Sequence, residues 1–257
     1  MNQTSTSKPT VRAQLEAWFD REPGRSILAA ALVKLNALLP NMFGYHIVQL
    51  GVFQNKPLLA ASRISHQVVL SIDPTIIPVE RDGVHCEAGA LPLAADSVDV
   101  VLLPYVLEFE PDPHQVLREV DRVLVGEGYV IIVGFNPLSC WGLWRLMLAW
   151  SESPPWCNRF LRLGRVKDWL HLLGFEVTSV SRMFFRPPLR SPRLLRHLEF
   201  MEKMGSKLLP IFGGAYMIVA KKRLERLIPI KTQWRARRSL IAAGYAEPST
   251  RVTNAHD

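Results

Sequence analysis

The 257-residue chain carries 31 Lys and Arg against 23 Asp and Glu, a formal net charge of +8, and 48% of its residues are hydrophobic, enough for one sizeable core with appendages. Cys86, Cys140 and Cys157 have no metal-ligand spacing and are an odd number for a disulfide framework, which points to a reducing cytoplasm. The first ten residues hold no apolar run of the kind a secretory signal needs, and residues 135–150 are interrupted by Asn136, Pro137 and Arg145, so no transmembrane segment is expected.

Behind a polar tip, Val11, Leu15, Trp18 and Phe19 recur at helical spacing until Pro23-Gly24 breaks the pattern. A second helix, residues 26–39, carries Leu28, Ala31, Leu32, Leu35, Leu38 and Leu39 and stops at Pro40. Both read as a helical lead-in that covers a sheet. Residues 45–50 form the first strand, with Gly51 after it, and residues 68–72 form a β-branched run ending in Asp73-Pro74. Residues 98–103, bounded by Asp96-Ser97 and Pro104, suit a strand buried on both faces. Asp112 then caps a helix with Pro113 at its first position, where a missing N–H costs nothing. Val116, Leu117, Val120, Val123 and Leu124 make its apolar face, while Arg118, Glu119, Asp121 and Arg122 lie largely off it. Gly126-Glu127-Gly128 ends this helix, and residues 129–133 return as a strand parallel to the last, as a helical crossover requires.

Beyond Asn136-Pro137 come Trp141, Trp144, Trp150 and Trp156, a density that reads first as core or lid and second as an apolar pocket or a surface resting on a membrane. A helix over residues 164–173 closes at Gly174, a strand follows over 175–181, and residues 215–220 with Lys221-Lys222 form the last one. Between these two strands lies an insertion, residues 183–214, with Pro187-Pro188, Pro192 and a basic amphipathic helix near 194–209. From Lys221 to Arg238 eight Lys and Arg meet one acid, Glu225, a net of 8 − 1 = +7. Such a run is first a solvated extension and, more specifically, a contact for RNA or an anionic membrane surface.

The order Leu91-Pro92-Leu93, Asp96-Ser97-Val98-Asp99-Val100-Val101, Val106-Leu107, Asp112-Pro113, Leu117-Arg118-Glu119, Arg122-Val123-Leu124 and Gly126-Glu127-Gly128 resembles the type 11 group of class I S-adenosylmethionine-dependent methyltransferases. The resemblance implies an α/β fold, a Rossmann-like, seven-stranded, mostly parallel sheet with strand seven antiparallel and helices on both faces. It also implies S-adenosyl-L-methionine as cofactor, and lead-in helices of this kind can close over it. The family's first turn reads as an acid followed by G-x-G-x-G; the matched positions here are Gln49, Gly51, Phe53 and Asn55, so one glycine is kept and Phe53 puts a ring toward the methionine part of the cofactor. Asp73 matches the strand-end acid that accepts hydrogen bonds from the ribose hydroxyls, although Asp-Pro is also an ordinary turn opener. Glu87, with Ala88 beside it, matches the position that contacts the adenine amino group, and could equally be a solvated strand-end charge.

After the fourth strand, Tyr105 and Glu108 are the pocket candidates, Glu108 as a base for an oxygen or carbon nucleophile, whereas His114 in a first helical turn reads as solvated. Leu103-Pro104-Tyr105 lacks the amide or acid that amino-group methyltransferases place there. The expected organisation is a lead-in over residues 1–39, a methyltransferase-like domain over 40–222 and a basic tail over 223–257. The expected function is methyl transfer from S-adenosylmethionine to a small or lipophilic acceptor. Gln49, Phe53 and Asn55 favour the alternative, a catalytically inactive binding or scaffold module of the same fold.

Overall fold

The structure is a computed structural model that describes residues 10–51, 53, 57–73, 84–148, 153–189, 197–198, 200–208 and 210–224. Asn55, Pro74, Trp150, the polar tip and the tail beyond Leu224 lie outside the described residues, as does much of the insertion.

Two helices lead in, α1 (Val11–Phe19) and α2 (Gly24–Leu38). The Thr10 hydroxyl accepts the Ala13 N–H at 3.1 Å and so satisfies one of the donors that every helix start leaves open. The strands and helices that follow are β1 (His46–Gly51), β2 (His66–Ser71), β3 (Val84–His85), β4 (Val98–Pro104), α3 (Pro113–Val123), β5 (Leu124–Phe135), α4 (Cys140–Met147), α5 (Leu163–Leu172), β6 (Phe175–Met183), α6 (Phe200–Leu208) and β7 (Ala215–Lys222). The seven strands form one sheet in the order β3-β2-β1-β4-β5-β7-β6. β7 runs antiparallel to both β5 and β6, and the other pairs are parallel. This is the Rossmann-like sheet that the resemblance implied.

Each face of the sheet has its own core. One gathers Leu15, Phe19, Ile27, Leu35, Phe53, Tyr105, Phe135, Trp141 and Trp156 around α1 and α2. The other joins Val48, Leu70, Val101, Ile132 and Ile218 to Val116, Leu117 and Val120 of α3 and Val166 and Leu170 of α5. Asp112 caps α3 as its sequence predicts, accepting from His114 N–H at 3.0 Å and Gln115 N–H at 3.1 Å. Gly174, with φ +82°, closes α5.

The α3–β5 junction differs from the sequence reading. The helix ends at Val123 and Leu124 already pairs with Val98, but Gly126-Glu127-Gly128 interrupts β5: Glu127 has φ +67°, and the register with β4 shifts before Tyr129 pairs with Val100. Leu124 fits both patterns because its side chain is buried either way, but pairing with Val98 decides for the strand. Gly128 is needed in that strand, because a Cβ there would stand 2.9 Å from the Val125 carbonyl and 3.0 Å from that of Asp99. Trp141 and Trp156 are core, as the first reading of the tryptophan-rich segment had them, while Trp144 is 38% exposed.

Phe19 holds α1 to the sheet. Its ring centroid lies 4.7 Å from Phe53, 4.9 Å from Tyr105 and 6.2 Å from Phe135. Phe19→Ala removes the shared partner of all three rings and is expected to lower unfolding stability by about 3–5 kcal/mol, measured by urea denaturation.

Candidate active site

The strand order reverses between β1 and β4, and ligands of open α/β sheets bind outside the carboxyl ends of the strands at such a point. Gly51 ends β1 there with φ +146°, a backbone conformation that side chains rarely adopt. A Cβ at Gly51 would stand 3.2 Å from Val106 and 3.6 Å from the Pro104 carbonyl, so the ends of β1 and β4 touch. Register puts Gly51 opposite Ser71, two residues before Asp73.

Asp73 is 1% exposed. Its carboxylate accepts the hydroxyl of Thr10, while the Ser71 side chain accepts the Asp73 N–H at 3.3 Å. Arg12, the second residue of α1, donates to the Ile72 carbonyl at 2.7 Å and pairs with Glu110. Burial raises the Glu110 carboxyl above its usual range, and the adjacent Arg12 guanidinium pulls it back. Thus the start of α1 lies across the end of β2. Thr10, Arg12 and Glu110 were not among the residues that the sequence pointed to. Thr10 could have been found as a helix cap, but its second bond crosses 63 positions of sequence.

The remaining sequence-predicted residues divide into two sets. Gln49 is buried, and its amide donates to the Phe53 carbonyl at 2.6 Å, which pins the first turn back on β1. Phe53 is fully buried against Phe19. Ala88 is buried, and Glu87 beside it is exposed in an isolated bridge to Ala90. Tyr105 is 1% exposed and has φ +54°, and its hydroxyl has no hydrogen-bond partner among the described residues. Its ring lies 4.6 Å from Phe135 and 6.1 Å from Phe53. A buried hydroxyl left so costs about 1–3 kcal/mol, a cost that a ligand atom in reach would remove. His114 is exposed, its ring 4.0 Å from that of Trp169.

Glu108 makes its hydrogen bonds elsewhere, although its charge is near enough to add to the burial that raises the Tyr105 phenol. Its carboxylate accepts the Phe135 N–H at 2.7 Å and fills the space beside Gly134 together with the Tyr216 hydroxyl. Tyr216 belongs to the core under α3 and α5, whereas the Tyr105 ring packs on the opposite face. Burial pushes the Glu108 carboxyl up to about 7, with the Phe135 N–H opposing.

Sheet order, a glycine turn at the switch point and a strand-end acid define a class I methyltransferase. A family model described as a methyltransferase domain matches residues 54–132. The chain is 36% identical over 212 residues to the Escherichia coli (strain K12) protein YafS, covering 81% of each chain. Among solved structures it resembles a Thermotoga maritima SAM-dependent methyltransferase, described as a possible histamine N-methyltransferase, with a TM-score of 0.60 at 21% identity over 81% of this chain and 94% of that one. An Archaeoglobus fulgidus SAM-dependent methyltransferase gives a TM-score of 0.57 at 19% identity over 80% and 99%. The chain belongs to the type 11 group of the class I S-adenosylmethionine-dependent methyltransferases, and S-adenosyl-L-methionine is its cofactor. The residues present fit that cofactor at its ribose end: Gly51 keeps the backbone open to close approach, and the buried Asp73 carboxylate is already engaged by a hydroxyl.

Two expectations follow. The Thr10 hydroxyl occupies an Asp73 carboxylate oxygen, so a cofactor hydroxyl that used the same oxygen would have to compete with it. Thr10→Ala is expected to tighten S-adenosylhomocysteine binding by roughly three- to tenfold in calorimetric titration. Glu108 has a folded-state value of about 7 against an ordinary 4.5, so the folded chain holds this proton more firmly than the unfolded one. The stability this brings is complete below about pH 4.5 and is lost as pH rises through about 7, a change of about 3 kcal/mol. Urea midpoints measured across this range should fall with pH in the parent relative to Glu108→Gln, whose profile lacks that component.

Proposed function

We propose that the enzyme methylates a small or lipophilic acceptor at the switch point between β1 and β4. The observation that carries this reading is the buried Tyr105 hydroxyl, without a hydrogen-bond partner among the described residues, inside a box of aromatic rings, Phe19, Phe53 and Phe135. Apolar walls with one polar atom suit a lipophilic acceptor that presents a single oxygen or carbon nucleophile.

In this reading Asp73 takes the ribose hydroxyls, Glu87 and Ala88 flank the adenine, and the turn formed by Gln49 and Gly51 faces the methionyl part. The bound cofactor supplies a sulfonium-activated methyl group. The chain then has to align donor and acceptor and exclude water, and little acid–base chemistry is asked of it. Phe19 and α1 exclude water by covering the box. Tyr105 is the catalytic residue, its hydroxyl orienting the nucleophile. Glu108, bonded to the Phe135 N–H, is a positioning residue that fixes the ring packed at a 40° tilt against Tyr105.

Beyond the ion-paired Lys221, Lys222 and Arg223, the charge of Arg226, Lys231, Arg235, Arg237 and Arg238 against Glu225 supports contact with RNA or an anionic surface. Among the described residues no helix is long and apolar enough to cross a membrane.

Calorimetry with S-adenosylmethionine and S-adenosylhomocysteine on the parent, Asp73→Ala, Glu87→Ala and Tyr105→Phe tests the assignment. Asp73→Ala is expected to weaken both ligands by roughly ten- to a hundredfold, the loss of hydrogen bonds to a charged group, and Glu87→Ala by less. Tyr105→Phe should keep the binding while lowering turnover of any acceptor found. A folded parent that binds neither ligand would overturn the assignment and favour the inactive binding module.

A further inference from the structure

A second concavity opens at the same carboxyl edge of the sheet, over β5, β7 and β6 and at the start of α5. It measures about 670 Å³, and Arg162, Arg165, Lys167 and Arg182 line it against a single acid, Asp168. Its formal charge is therefore 4 − 1 = +3. Among the described residues several other basic side chains are matched: Arg12 with Glu110, Arg122 with Glu119, Lys221 with Glu127, Lys222 with Asp96 and Asp121, Arg223 with Glu176. None of the four cavity cations makes an ion pair or a side-chain hydrogen bond among the described residues; Arg165 only rests 5.6 Å over the Trp169 ring. Like charges gathered around a concavity repel one another, and their summed field favours an anion there.

The local backbone adds to this field. α5 begins with Arg162 at its cap position and no side-chain cap, so its first-turn N–H groups are left to solvent or to a ligand. A Cβ built on Gly164 would meet nothing within 4 Å, so that end of the cavity is open.

The rim has a different character. Leu138 and Ile211 line the cavity mouth while about half exposed, at 51% and 52%. Asn136 fastens both: its amide donates to the Ile211 carbonyl at 2.8 Å, and its oxygen accepts the Leu138 N–H at 3.0 Å. From Leu138 the chain runs directly into α4, which buries Trp141 and turns Leu143, Leu146 and Met147 outward. Phe212, next to Ile211, is also exposed. Large apolar side chains clustered in water mark an interaction site.

We propose that this cationic cavity and its apolar rim form a docking site for an anionic phospholipid surface, a headgroup phosphate entering between Arg162, Arg165, Lys167 and Arg182. The choice of a bilayer rests on the pairing of the two surfaces. Charge alone would suit nucleic acid or a soluble phosphate, but neither gives Leu138, Leu143 and Ile211 an apolar phase to enter, whereas the boundary between headgroups and acyl chains does. The cavity shares no lining residue with the aromatic box, and its test does not depend on methyl transfer.

The full chain is floated with vesicles of equal parts phosphatidylcholine and phosphatidylglycerol, and with phosphatidylcholine alone. Three proteins are compared, the parent, Arg162→Gln/Arg165→Gln and Leu143→Ser/Ile211→Ser, all substitutions at exposed positions, with thermal melts to verify folding. The expected result is selective binding of the parent to the anionic vesicles, a loss of roughly tenfold or more in partition for the charge variant, and a clear loss for the apolar variant. Binding of both variants at the parent's level would overturn the proposal and assign the affinity to the tail. Failure of the parent to float would overturn it as well. So would calorimetric binding of inorganic phosphate or glycerol phosphate without vesicle binding, which would make the cavity a soluble-anion site.

Discussion

The packing of Phe19 between Phe53, Tyr105 and Phe135 is the contact on which the active edge of this molecule depends. One ring from the lead-in helix fills the gap between the turn after β1, the turn after β4 and the end of β5. These three segments come from separate parts of the sheet, and each carries a candidate site residue or its support. Removing a single apolar body from water in such a place fixes several backbones at once, because a densely packed interior leaves no alternative arrangement of similar energy.

On that foundation three carboxylates at one edge behave differently. Asp73 is engaged by a hydroxyl from Thr10, Glu110 is held by the Arg12 guanidinium, and Glu108 has a backbone N–H. Burial raises both glutamates, and the cation beside Glu110 offsets part of the effect while the amide beside Glu108 leaves its carboxyl near 7. The hydroxyl-held carboxylate is the one suited to a sugar, since one neutral hydroxyl can replace another at small cost. If Asp73 takes the ribose as proposed, occupation of that end and the position of α1 are linked through the same side chain.

The sheet also divides the edge into two surfaces. Among the described residues, the strand ends toward α1 carry rings and a hydroxyl without a partner; toward α5 they carry cations without an ion pair and an apolar rim. Asn136 and its neighbours connect the halves, since the chain leaves β5 after Phe135 of the aromatic box and reaches the mouth of the cationic cavity at Leu138. A lipophilic acceptor and a bilayer surface are compatible demands on one edge.

Much of the fold was legible in the chain because its signals are local. Asp112-Pro113 marks a helix start, the 3.6-residue period of Val116, Leu117, Val120 and Val123 marks its buried face, and the apolar run at residues 98–103 marks a central strand. Gly51 and Asp73 were readable for the same reason, Gly51 closing one strand and Asp73 standing two residues past the end of the next. The junction at Leu124 was not, because a buried leucine satisfies a helix and a strand alike, and only pairing with Val98 separates them. Nor could sequence show that Thr10 bonds Asp73, that Glu108 bonds the Phe135 N–H, or that Arg162 and Arg182 share a cavity. The sequence by itself determined which segments become strands and helices and which residues stand at their ends, since periodicity and caps act within a few positions. Only the tertiary structure decided which of those ends meet, because strand order brings residues tens of positions apart within hydrogen-bond reach, and no local pattern records that order.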